Sequence, residues 1–111
     1  MSTAPQIRFK NVSEIRNVAV DMRGKLDSGE LLTGAPVAAE LVTTALTLSN
    51  VALNTVAFVV NGSTVGANQA VQFKVSGGLA GISYTVRITA GTTANPAQTL
   101  IEHVTIKVIS N

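Results

Sequence analysis

The chain has 111 residues, no cysteine and a net charge of +2. This length suits one domain with its own core, and the lack of cysteine excludes disulfide bonds, zinc–thiolate sites and thiol nucleophiles. No apolar run approaches the about 18–20 residues of a membrane-spanning helix, and the first residues lack the apolar middle of a secretory signal peptide. Charged residues make up 13% of the chain, against about 25% in an average domain, so we expect a hydroxyl- and amide-rich surface that neighbouring proteins partly cover.

The N-terminal segment carries most of the basic character. Residues 1–25 contain five basic and two acidic side chains, a balance of +3, whereas the rest contains three basic and four acidic ones, a balance of −1. Residues 1–14 lack a sustained hydrophobic period, so we predict an extended arm over residues 1–16, with a short strand around residues 6–10, before a domain over residues 17–111. The charges are too sparse for a nucleic-acid reader, and we interpret the arm as solvated or docked on a protein. The predicted partner-binding residues are Gln6, Arg8, Lys10, Arg16 and Arg23.

Residues 17–60 are predicted to form four strands. Residues 17–23 alternate, with Val18, Val20 and Met22 on one face, and residues 25–30 form a turn. Residues 38–48 are apolar enough for a helix, but their β-branched side chains crowd a helical turn and favour strands at 38–43 and 45–49. Residues 55–60 are continuously apolar, which indicates a strand that is buried on both faces or lies at a contact.

The second half contains the clearest strands. Asn61-Gly62 predicts a two-residue hairpin with a type I′ turn. Period-two alternation predicts strands at residues 69–76, 82–90 and 99–109, with the glycines at 77, 78 and 81 making a tight connection. Glu102 falls in the inward register, where we expect a bulge or a projection past the core. The total of about seven short strands predicts an all-β, immunoglobulin-like sandwich of two sheets.

The chain is poor in catalytic material. His103, the only histidine, falls on an outward strand position without a nucleophile or second ligand. The run 27–30 lacks the ligand spacing of a calcium loop, and the glycines at 77–81 lie between strands, unlike a phosphate-binding loop. Tyr84 faces inward, where we expect its hydroxyl to bond a nearby backbone group. We therefore predict no enzyme activity, no catalytic or metal-binding residue and no cofactor.

Three segments carry a resemblance to a known family. The run Val71–Val75, followed by Ser76-Gly77-Gly78-Leu79-Ala80-Gly81-Ile82-Ser83-Tyr84-Thr85-Val86, resembles a segment common in small bacteriophage virion proteins with an immunoglobulin-like domain. Residues 102–108 are similar to that family's closing strand, and residues 18–30 to its opening strand and loop. The chain departs from the family in lacking tryptophan and in its basic arm.

The resemblance implies a non-enzymatic structural protein of the virion. We expect it to bind the outside of a phage capsid as a decoration or minor capsid protein, after synthesis in the host cytoplasm. Its implied partners are the major capsid protein and copies of itself in a homo-oligomer, such as a trimer; no nucleic acid, membrane or small molecule is expected. The alternatives are a tail or fibre accessory domain and a carbohydrate-binding module, which would need exposed aromatic side chains for stacking.

Overall fold

A computed structural model describes residues 6–60 and 62–110, so residues 1–5, Asn61 and Asn111 lie outside the described part. The described residues form nine strands and one 3-10 turn, with no α-helix among them. The elements are β1 Gln6–Asn11, β2 Arg16–Asp21, the 3-10 turn Arg23–Lys25, β3 Leu32–Glu40, β4 Leu46–Leu53, β5 Phe58–Val60, β6 Ser63–Val65, β7 Ala70–Gly77, β8 Ser83–Thr92 and β9 Thr99–Ile109.

The strands form a two-sheet sandwich with an added hairpin. One sheet has the order β1-β9-β8-β3, the other has the order β2-β7-β4, and β5 pairs only with β6. Strands β3, β8 and β9 occupy the places of strands C, F and G of an immunoglobulin domain, and β2, β7 and β4 those of B, E and D. The predicted immunoglobulin-like sandwich is confirmed. The expected number of about seven strands matches the two sheets, to which the hairpin adds two more.

The N-terminal segment is part of the first sheet. Strand β1 pairs in parallel with β9, from Gln6 beside Val104 to Asn11 beside Ile109. The short strand predicted near residues 6–10 is confirmed. This strand is part of the sandwich, so the domain boundary expected after residue 16 lies C-terminal to the first strand of the sandwich. This role could not be predicted from the sequence, because β1 pairs with β9 through backbone hydrogen bonds, and these bonds do not require a particular pattern of side chains.

The core consists of the inward side chains of both sheets. The residues predicted to face inward on β2, β7 and β8 are buried, as are Val104, Ile106 and Val108 on β9. Ile82 is the exception, since it is 46% exposed in the turn before β8. Glu102 is buried in regular register opposite Ile88, so the bulge expected there does not occur.

The middle of the chain forms strands with shifted boundaries. Strand β3 begins at Leu32, earlier than predicted, because a register shift between Thr33 and Val37 takes up Gly34 and Pro36. The predicted strand over residues 55–60 is confirmed only for Phe58–Val60. Val56 and Val59 are 74% and 67% exposed, so burial on both faces is wrong within this chain. A contact with another protein remains the prediction for these side chains.

A buried asparagine holds the hairpin segment on the second sheet. Nδ2 of Asn54 donates hydrogen bonds to the carbonyl oxygens of Val56 at 3.2 Å and Gly66 at 2.8 Å. Oδ1 of Asn54 accepts from the backbone N–H groups of Gln69 at 3.1 Å and Ala70 at 2.9 Å. This side chain, which the sequence analysis did not single out, therefore joins both ends of the segment that contains β5 and β6. The hairpin itself is confirmed; residue 61 of its turn lies outside the described part.

The connection between β7 and β8 is closed by a tyrosine. The Tyr84 hydroxyl accepts a hydrogen bond from the Leu79 backbone N–H at 2.8 Å, and the ring is 4% exposed. This contact confirms the predicted inward ring and backbone bond, and it has the geometry of the tyrosine corner of immunoglobulin-like domains. Gly78 lies in this connection with a φ of +89°. A side chain there would meet Tyr84 and the core around it.

Candidate protein-binding surface

Strand β1 has an inverted polarity. Its inward positions hold Gln6, Arg8 and Lys10, whereas Ile7 and Phe9 point to solvent and are 47% and 60% exposed. A strand that covers a core normally does the reverse, with apolar residues inside and polar residues outside. The inversion places an aromatic and a branched aliphatic side chain on the solvent face of the four-stranded sheet.

The inward polar residues of β1 bind the opposite sheet. Gln6 Nε2 donates to the Asp21 carbonyl at 2.8 Å, and Arg8 Nη2 donates to the Ala19 carbonyl at 3.0 Å. Arg8 Nη2 also donates to Gln6 Oε1 at 3.1 Å. Both carbonyls belong to β2, so these side chains close the edge of the sandwich between β1 and β2. Their hydrogen bonds are internal, a role that the sequence analysis did not foresee.

Lys10 lies in the interior. Its side chain is 1% exposed, and Nζ donates to the carbonyl oxygens of Asn11 at 2.8 Å and Val12 at 3.2 Å. The prediction that Lys10 contacts a partner would require this ammonium to leave the interior and its two acceptors. The physical reason for its burial is register: the even positions of β1 all face the other sheet.

The two remaining predicted residues differ from each other. Arg23 binds both carboxylate oxygens of Asp21 and donates through Nη1 to Ser63 Oγ at 2.8 Å and the Thr64 carbonyl at 2.7 Å. It therefore holds the β5–β6 hairpin against β2. Arg16 is exposed and forms an ion pair with Glu14 at 3.5 Å. The structure thus links Gln6, Arg8 and Arg23 around Asp21 but leaves Lys10 and Arg16 outside this network.

The charge network stabilises the ionised form of Asp21. Although partial burial of Asp21 opposes its ionisation, the hydrogen bonds and charge of Arg23, with the charge of Arg8, hold the pKa of this carboxyl below its usual range. The guanidinium of Arg23 gains from the same pair, which raises its pKa. These groups therefore stay charged and paired near neutral pH, which suits a structural clamp between β1, β2 and the hairpin.

The solvent face of the β1-β9-β8-β3 sheet, called the outer face below, combines apolar and basic side chains. Its exposed apolar residues are Ile7, Phe9, Val37, Ile101 and Ile109. Arg87 lies opposite His103, and Lys107 Nζ lies 6.0 Å from the centre of the Phe9 ring. The outward positions of these four strands, as far as they are described, carry no carboxylate. The outer face therefore suits an apolar surface that is bordered by acidic groups.

The edges of the sandwich are protected against strand addition. Strand β3 contains Pro36 and an irregular register, and β4 has a register shift between Ser49 and Ala52. At the opposite edge, Gln6 and Arg8 bind β1 to β2. Irregular strands of this kind discourage edge-to-edge pairing. The outer face is therefore a better candidate for partner contacts than the edge strands.

The turn between β3 and β4 is held by a carboxylate. Glu40 accepts hydrogen bonds from the Thr43 hydroxyl, from the Ala45 N–H at 3.1 Å and from the Leu46 N–H at 2.8 Å. Partial burial of Glu40 opposes its ionisation, but these bonds from Thr43, Leu46 and Ala45 hold the pKa of the carboxyl below its ordinary value of 4.5. The ionised side chain thus fixes the shape of the turn.

We expect Glu40→Gln to lower the free energy of unfolding by about 1 kcal/mol at pH 7, since an amide replaces a charged acceptor at a partly exposed site. A lowered pKa in the folded state means that the ionised carboxylate stabilises the fold above the unfolded-state pKa. This stabilisation is lost as the pH falls through the folded-state pKa, so the difference between the two proteins should shrink below pH 4.5. Urea unfolding measured from pH 7 to pH 3 checks this. Asp27→Asn, at an exposed carboxyl, is the control and should change the stability at pH 7 by less than about 0.5 kcal/mol.

The other candidates for ligand chemistry are the histidine, one depression and the aromatic side chains. His103 is exposed, as predicted, and within residues 6–60 and 62–110 no three His, Asp or Glu side chains are placed to share a metal ion. A depression of about 380 Å³ on the second sheet is lined by both polar and apolar residues: Asn17, Asn50, Gln72 and Lys74 with Val18, Ala19 and Phe73. Among the aromatic residues, Phe73 and Tyr84 are buried and Phe9 is exposed on the outer face.

Neither a membrane-spanning helix nor a known relative indicates a function for this chain. The described part of the chain has no helix that is long and apolar enough to cross a membrane. The inverted polarity of β1, the basic residues of β8 and β9, and the protected edges favour the outer face as the binding surface. No family model, no curated protein and no solved structure matches the chain.

Proposed function

We propose that this protein is a non-enzymatic structural component of a bacteriophage virion. It binds the outside of the capsid as a decoration or minor capsid protein, with the major capsid protein and copies of itself as partners. The observation that carries the binding role is the inverted polarity of β1, which exposes Ile7 and Phe9 beside Lys107 on the outer face. The resemblance of residues 71–86 to virion proteins supports the proposal that the protein's partner is a phage particle.

The energetics of the outer face support binding. Phe9 and Ile7 are 60% and 47% exposed, so burying the rest of each side chain against a partner contributes about half of the roughly 1.5–3 kcal/mol of a fully exposed one. Lys107 and Arg87 favour an acidic partner, which steers encounter and excludes basic surfaces. A repetitive shell also offers many equivalent sites, so linked copies of this domain gain avidity from modest individual contacts.

Two substitutions on the outer face test the proposal. We expect Phe9→Ser and Arg87→Glu each to weaken binding to purified capsids that lack this protein by about tenfold or more, because one removes an apolar contact and the other reverses a charge. Co-sedimentation with the capsids at several protein concentrations measures this. Lys74→Glu, which reverses a charge at an exposed residue of β7 on the second sheet, is the matched control for Arg87→Glu.

The outcome is decisive in both directions. Both side chains are exposed, so the variants should unfold within about 0.5 kcal/mol of the wild type. Binding that is unchanged in both variants contradicts the outer face as the contact. Failure of the wild type to bind capsids while a labelled antibody detects it on tails of intact particles would favour the tail or fibre alternative.

A further inference from the structure

We infer that two copies of this chain associate through the turn between β3 and β4, with Val42 of each copy inserted in a hollow on the other. This inference rests on the homo-oligomeric part of the proposed function and adds its site and its two-fold geometry.

The first observation is a strained and solvent-exposed valine. Val42 has a φ of +74° and a side chain that is fully exposed. A β-branched residue is rarely found in the left-handed region, because its side chain crowds the backbone there. Since the side chain is fully exposed, no packing within the chain offsets this strain. Strain of this kind persists where the surrounding structure enforces it, often at binding sites.

The surrounding turn does enforce it. Glu40 accepts three hydrogen bonds from Thr43, Ala45 and Leu46, as described above. The Leu41 N–H donates to the Thr85 carbonyl at 2.9 Å, and the Thr43 N–H donates to the Leu41 carbonyl at 2.8 Å. These bonds fix residues on both sides of Val42. The valine is thus presented in one orientation, and a partner does not have to order it on binding.

The second observation is a hollow beside this valine. A concavity of about 230 Å³ is lined by Leu41, Val42, Thr43 and residues 82–85. For comparison, an apolar cavity of about 150 Å³ accepts benzene, so the hollow has room for a branched aliphatic group. Leu79, in the same β7–β8 connection as Ile82, is also apolar and 68% exposed. A projecting side chain and a receptive hollow therefore occupy one patch.

The patch holds both the projecting valine and the hollow, so the occupant that fits it is a second copy. All seven residues that line the hollow are uncharged, so the patch offers nothing to pair with an acidic or basic partner. Two such patches can meet without repulsion between like charges. In a two-fold pair the same patch serves on both sides, with residue i of one copy touching residue j of the other and the reverse. A knob and a hollow that lie side by side meet this condition.

The experiment measures self-association and leaves capsid binding to a separate assay. Sedimentation equilibrium of the purified full chain over a range of concentrations should give a monomer–dimer equilibrium. Val42→Asn should raise the dimer dissociation constant by about tenfold or more, because it removes the apolar knob. Asparagine accepts a left-handed φ readily, which relieves the strain, so the variant should have a thermal midpoint equal to or above that of the wild-type monomer. Ile82→Lys, which charges the rim of the hollow, should have the same effect on association.

Ile15→Asn is the control, since it makes a similar change at a branched aliphatic side chain that is 71% exposed in the β1–β2 connection. It should associate like the wild type. A wild-type chain that stays monomeric at about 1 mM, a trimer as the associated species, or unchanged association of Val42→Asn would each overturn the inference. The proposed function fails separately: Phe9→Ser should lose capsid binding yet still dimerise, and Val42→Asn should dimerise poorly yet retain the outer face.

Discussion

Replacing Asn54 by alanine should lower the free energy of unfolding by about 3 kcal/mol, because it removes a buried side chain that makes four hydrogen bonds. Each bond contributes about 1 kcal/mol net, and a buried group left unpaired costs about 1–3 kcal/mol. The substitution leaves four backbone groups without their hydrogen bonds to Asn54: the carbonyls of Val56 and Gly66 and the N–H groups of Gln69 and Ala70. The loss in free energy of unfolding stays near 3 kcal/mol because water can reach some of these four backbone groups once the segment is loosened.

Urea unfolding and limited proteolysis measure the effect. Besides the lower midpoint, we expect earlier cleavage between residues 54 and 69, since Asn54 joins the two ends of that segment. Asn17→Ala, at an exposed asparagine on β2, is the control and should change stability by less than about 0.5 kcal/mol. A loss below about 1 kcal/mol for Asn54→Ala, with unchanged proteolysis, would show that the side chain does not anchor the hairpin.

Gly78→Ala should also destabilise the fold by about 3 kcal/mol. A Cβ at this position would lie 2.9 Å from Val108 Cγ2, 3.0 Å from Tyr84 Cε2 and 3.1 Å from Leu46 Cδ2. These atoms belong to packed core side chains, and overpacking of a core costs about 1–3 kcal/mol. The φ of +89° adds conformational strain of about 1–2 kcal/mol for a residue with a side chain.

Gly81→Ala separates these two contributions. Gly81 lies in the same connection with a φ of +84°, yet a Cβ there would meet nothing within 4 Å. This control therefore carries the strain alone and should lose about 1 kcal/mol. The difference between the two variants, measured by urea unfolding under identical conditions, gives the cost of the clash. Equal losses would mean that the core yields around residue 78 and that the close contacts carry no energy.

Local pattern was sufficient to predict most of the sandwich. Strands β2, β7, β8 and β9 were predictable because each buries one face. A strand buried on one face alternates between apolar and polar residues, which is a pattern of period two in the sequence. The β5–β6 hairpin was predictable from Asn61-Gly62 because few other residue pairs accept the backbone of a two-residue turn. The inward ring of Tyr84 followed from the register of its strand.

The sites of contact were less accessible to sequence reasoning. The basic residues of the N-terminal segment pointed to partner binding, yet Gln6, Arg8 and Arg23 donate to groups of this chain, and Lys10 is buried. Three of their acceptors are the backbone carbonyls of Ala19, Asp21 and Thr64 on other strands. Every residue carries a carbonyl, so no residue type in the sequence marks such acceptors. The sequence gives the residue types of the apolar side chains of β1, but the face on which they lie depends on which sheet β1 joins.

The sequence by itself determined the all-β class, the alternating core strands, the tight glycine connection and the lack of cysteine chemistry, since each follows from residue type and local spacing. Only the tertiary structure decided that β1 lies beside β9, that Phe9 shares a face with Arg87, and that Val42 stands beside a hollow. The physical reason is that these relations join residues distant in the chain through backbone pairing and layer packing, whose partners the local pattern does not specify.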